Sequence, residues 1–190
     1  MNEHIIPEIN PCKSGGRYWY SVPDNKTLWD TCIRSDWWLW LLENSNYNDG
    51  TKLRKFACEC VRRTPFGNKK AWSFIDYFPL KSVVIGTEQY LRGECSEEEL
   101  RDMQIIAWAS PPTKYHFELF VPFVAEISAN PILVAKYVSW EMALSSGDLR
   151  KGLDYQTDFL KEVIGYEDMN KCATYIRENR IRIPMIRDEI

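Results

Sequence analysis

The chain has 190 residues and a net charge of −3, and it is 45% hydrophobic, 27% charged and 14% aromatic. These proportions exclude a chain disordered throughout, because enough apolar surface is available to offset the entropy of ordering it. The near-balance of 24 basic and 27 acidic residues gives neither the basic excess that grips a phosphate backbone nor the strong acidity of a nucleic-acid mimic.

In chain order, residues 1–11 read as an irregular arm limited by Pro7 and Pro11. Lys13 to Gly16 is a turn or the weak start of a short helix carrying Arg17 to Tyr20. Asp24 is the N-cap of a helix through Cys32. Ser35 or Asp36 caps a second, very apolar segment from Trp37 to Leu42, and Asn44 to Gly50 is turn chemistry. A helix from Thr51 to Arg63 follows, with Leu53, Phe56, Ala57, Cys60 and Val61 on one face. Asn68 can cap the next helix, which Pro79 kinks or splits into 69–77 and 80–92.

Ser96 and Glu99 have capping-box spacing, the clearest helix start in the chain. Leu100, Met103, Ile106 and Ala107 continue as its buried stripe, and Pro111-Pro112 stops it. Thr113 to Ala129 reads as helix, with a strand over Tyr115 to Val121 as the alternative. Asn130-Pro131 opens a helix to Leu144. Another runs from Leu149 to Ile164 with Gly165 as its C-cap. A last one starts at Asp168 and runs through Arg180, and 181–190 is an extended tail. The fold expected is all-α, one domain built as an irregular bundle of about seven to nine helices.

No apolar run approaches the roughly 20 residues a bilayer needs. The segment Met1 to Pro7 has no basic stretch followed by an apolar one, so a cytoplasmic location is expected. The cysteines Cys12, Cys32, Cys58, Cys60, Cys95 and Cys172 are too sparse for a secreted disulfide scaffold and read as reduced thiols. Cys58 and Cys60 would point roughly 200° apart on a helix. His4 and His116 have no ligand spacing to other donors. No metal and no cofactor is expected. Glycine-rich phosphate loops, nucleophile elbows and zinc-protease motifs are missing, so no catalytic residue is assigned. An enzyme would have to be built around His116, or around carboxylates such as Glu97 to Glu99, whose simpler role is at a helix N-terminus.

Two clusters stand out. Lys52, Lys55, Arg62 and Lys69 read first as a solvated helix face. Their functional alternative is a positive edge for an acidic protein or nucleic acid. The segment Trp29 to Leu42 holds four of the eight tryptophans. Trp37, Trp40 and Leu41 share a helical face, with Trp38 and Leu42 on its flank. Trp29, Cys32, Asp36, Trp37 and Trp40 read as a core motif, and Trp72, Trp108 and Trp140 are expected to pack onto it. Trp19 and Trp38 are the candidates for exposed interface anchors.

The pattern Trp29-x-x-Cys32-x-x-x-Asp36-Trp37-x-x-Trp40-Leu41 resembles an immunity protein family of phage and bacterial genomes. It is the family named for likeness to immunity protein five of polymorphic toxin systems. Cys12 and Trp19, the helix from Arg54 to Arg62, Tyr90 to Gly93, and Ser96 to Leu100 extend the resemblance over residues 10–110. Beyond that it is weak, resting on Leu160 to Gly165. The resemblance implies an all-α, non-enzymatic protein of a phage or mobile element that neutralises a toxin or host defence factor by protein contact.

Overall fold

The structure, a computed structural model, describes residues 13–109, 115–127 and 129–181. The expected arm, the tail beyond Ile181, Cys12, His4 and Pro111-Pro112 lie outside them. The described residues form an all-α bundle, as the sequence predicts. It contains nine α-helices: α1 (Lys13–Ser21), α2 (Asn25–Thr31), α3 (Ser35–Asn44), α4 (Gly50–Arg63), α5 (Phe78–Leu91), α6 (Glu97–Trp108), α7 (Pro131–Ser145), α8 (Leu149–Ile164) and α9 (Tyr166–Glu178). Two 3₁₀ segments, η1 (Ala71–Phe74) and η2 (His116–Ala125), complete the helical set. No helix among the described residues is long and apolar enough to cross a membrane.

Helix starts follow local chemistry. Asp24, Asp49, Asn130 and Asp148 each accept a hydrogen bond from a backbone N–H of the first turn, satisfying a donor with no intrahelical partner. At α6 the Ser96–Glu99 capping box is complete in both directions. Gly165 ends α8 at φ +84, a conformation costly for a residue with a Cβ.

Helix α7 is the hub, packing on α3, α4, α8 and η2. It is buried on nearly every side, so its sequence is apolar almost all round. It buries two charged residues, Lys136 and Glu141, and Lys136 is held by Glu43 at 2.7 Å. α7 and α8 meet at Gly152, where an added Cβ would stand 2.7 Å from the Ala143 Cα. Beside it, Gln156 bonds to Ser139 and Thr64, tying α8 to α7 and the end of α4. On the other side of α4, buried Arg54 donates to the carbonyls of Glu126, Ile127 and Ala129. It therefore pins the connection from η2 into α7.

Three elements depart from the sequence reading. Residues 65–70 form a hairpin of β1 (Pro65–Phe66) and β2 (Lys69–Lys70), with Phe66 opposite Lys69. Its two-residue turn, Gly67-Asn68, has Gly67 at φ +59. Asn68 is thus a turn residue, and the helix expected over 69–77 shrinks to η1. Pro79 falls in the first turn of α5, where its missing N–H costs nothing, so no kink results. Residues 116–125 wind as 3₁₀ around Pro122 and form neither α-helix nor strand.

Candidate functional site

The tryptophan segment splits into α2 and α3. Asp36 does not cap α3. Arg34 occupies the cap position with no side-chain bond, and its guanidinium instead grips the Asp36 carboxylate through two bonds of 2.7 and 2.8 Å. Arg34 also lies over the Trp37 ring at 5.3 Å. Cys32 and Trp40 are buried, while Trp29 and Trp37 are half-buried. Trp29 meets the edges of Trp38 and Tyr166.

Both tryptophans expected as exposed interface anchors are buried. Trp38 is only 2% exposed, in a helix flanked by α7, α8 and α9. Of the two neighbours Trp38 is the more deeply buried, while Trp37 is half-buried against the core edge. Trp19 is 8% exposed, under the Arg177 guanidinium. Neither is an exposed anchor. The exposed tryptophan is Trp108 at 47%.

The expected basic edge is half neutralised. Lys52 turns toward α9, donating to Asp168 at 2.8 Å and to the Ile164 carbonyl. That cation holds the Asp168 carboxyl below its ordinary range. Arg62 turns toward α5, pairing with Glu88 and covering the Trp72 ring at 4.1 Å. Lys55 is exposed on α4, and Lys69 is exposed on the hairpin. Two of the four are thus tied into ion pairs with neighbouring helices, and two are exposed.

Two other surfaces emerge. The first is the solvent face at the end of α6. Leu100, Gln104 and Ala107 form its buried stripe, while Ile105 and Ile106 are more than half exposed beside Trp108. Ile106 thus leaves the stripe expected for it. The second is a trough between the hairpin and α8, with a 730 Å³ cavity lined by residues including Lys69, Lys70, Tyr155 and Asp158. A 350 Å³ extension runs past Lys151 toward the α7–α8 turn. Tyr155 and Asp158 were not singled out from sequence. Their only signal is the polar phase of α8, complementary to its buried stripe of Leu153, Gln156 and Leu160.

Among the described residues the cysteines are the candidate nucleophiles. Burial pushes the Cys32 thiol up to about 11. It also raises Cys58, Cys60, Cys95 and Cys172, so all five described thiols stay protonated at neutral pH and are poor nucleophiles. The side chain of His116 lies outside the described set. Among the described residues no three His, Cys, Asp or Glu side chains come together as a metal site. The chain matches no protein-family model, no curated protein and no solved structure.

Proposed function

We propose that this chain works by binding, as an inhibitor encoded by a phage or other mobile element that neutralises a toxin or host defence factor by occupying its surface. The observation that carries this reading is the apolar end of α6, where Ile105, Ile106 and Trp108 face solvent together on one helix. Exposed aromatic and aliphatic side chains gathered on a rigid element are the anchors that dominate protein interfaces. A specific interface buries about 1,600 Å² in total, and these residues would lie at its centre. The likeness of the α2–α3 motif to the immunity family supports the same reading. The pairing of Lys52 with Asp168 and of Arg62 with Glu88 weakens the nucleic-acid alternative, which needs a track of free cations.

Affinity capture of the tagged chain from its native host is the test. One stoichiometric protein partner is expected, and Ile106→Asp or Trp108→Ala should abolish its recovery without unfolding the chain. Repeated capture of no partner, or of one indifferent to both substitutions, would overturn the proposal.

A further inference from the structure

The trough beside the hairpin is a second surface, built from the hairpin and α8, whereas the α6 ridge packs on α5 and η2. Its floor is a stripe of α8 in which Lys151, Tyr155, Asp158 and Glu162 follow one another at spacings of three or four residues. At 1.5 Å rise per residue that stripe is about 16 Å long, the span of three helical turns or roughly five extended residues. Its wall is the hairpin, whose tight Gly67-Asn68 turn places Lys69 and Lys70 on the rim. Tyr155 is half exposed at mid-length and belongs to both parts of the cavity.

The charges in the trough are unequally satisfied. Glu162 is neutralised by Arg63 at 2.5 Å. Lys161 donates to the Trp29 carbonyl and lies over the Trp29 ring, with no described carboxylate within ion-pair distance. Lys69, Lys70 and Lys151 are exposed, and no described carboxylate lies within ion-pair distance of them. The trough is therefore net positive on a chain whose overall charge is −3.

We infer that the trough receives an acidic peptide segment of a protein partner. Its acidic side chains would meet Lys69, Lys70 and Lys151, and an apolar or aromatic one would lie on Tyr155. Charge complementarity selects the occupant. Asp148 and Asp158 interrupt the cations, so a nucleic-acid strand with a charge at every nucleotide would be repelled there. A peptide can place a neutral or basic residue opposite each carboxylate.

A displayed random twelve-residue peptide library tests this, selected on the intact chain at low salt. Enriched peptides should be rich in Asp and Glu with an aromatic residue. In fluorescence anisotropy their affinity should fall at least tenfold in the Lys69→Glu/Lys70→Glu double variant and a few-fold in Tyr155→Ala. Lys55→Glu, which reverses an exposed lysine outside the trough, and Ile106→Asp, on the α6 ridge, should leave it unchanged. Circular dichroism and thermal melts confirm that these surface variants stay folded. Failure to enrich acidic peptides, or enrichment insensitive to the Lys69/Lys70 reversal, would overturn the inference. So would displacement of the bound peptide by random oligonucleotides at equal concentration. The α6 capture experiment stands or falls separately.

Discussion

Helix α3 and the last turns of α6 have similarly apolar sequences and opposite fates. Between Trp37 and Leu42, α3 is hemmed in by α7, α8 and α9, and every residue from Trp38 to Leu42 is buried. The end of α6 packs mainly on α5 and η2, leaving Ile105, Ile106 and Trp108 in solvent. Apolar composition alone therefore does not say which tryptophans build the core and which face a partner. The number of neighbouring elements decides it, and that is a property of topology rather than of local sequence.

The largest expected effect separates the two helices directly. Trp38→Ala should cost about 3–5 kcal/mol, because it empties a fully packed site. Trp108→Ala should cost about 1 kcal/mol, the worth of its edge contact with Phe123 at 4.8 Å and of partial burial. Urea unfolding of both variants makes the comparison. Equal losses would mean that α6 is as deeply packed as α3.

A smaller effect probes what encloses α3. Gly152→Ala inserts a methyl against the Ala143 backbone, where a flexible side chain cannot simply move aside. Separation of α7 and α8 should lower stability by about 1–3 kcal/mol. A shift in Tm reads this, and an unchanged Tm would show that the two helices can part without loss. On α6, Ile105→Glu should change stability by less than about 0.5 kcal/mol, since the side chain is already solvated. If it unfolds the protein, the ridge belongs to the core.

What was legible in the sequence follows the same division. Ser96, Asn130-Pro131 and Gly165 mark helix ends correctly because capping is a local act of a few atoms. The α4 stripe is legible because α4 has one buried and one exposed side. The face of α3 is not, because burial nearly all round erases periodicity and leaves Trp37 and Trp38 indistinguishable. The hairpin escapes because its strands are only two residues long, below any alternation pattern. η2 escapes because a continuous apolar run through Pro122 has no readable period. The trough requires Lys69 and Lys70 to meet Tyr155 across the fold, and no spacing rule reaches that far.

The last comparison is in pH dependence, where two carboxylates have opposite signs. Asp168, on the periphery, is held low chiefly by its hydrogen bond from Lys52. Its contribution is complete above the unfolded carboxylate value, about 3.9, and is lost as pH falls through its lower folded value. Asp154 lies on α8 within electrostatic reach of Arg34 and Asp36 at the start of α3, and burial pushes it up. One of its oxygens is buried with no hydrogen-bond partner. Its charge therefore weakens the fold above its folded value, and the penalty is relieved as pH drops through that value. At pH 7, Asp168→Asn should lower stability by about 1 kcal/mol. Asp154→Asn should raise it by about 1 kcal/mol. In urea titrations the Asp154 difference should fade as pH drops through its raised folded value to about 3.9, whereas the Asp168 difference begins to shrink only below about 3.9 and vanishes only below its lowered folded value. Loss of stability in Asp154→Asn at pH 7 would mean that its charge is compensated, and that the α3–α8 contact is stronger than its unpartnered oxygen implies.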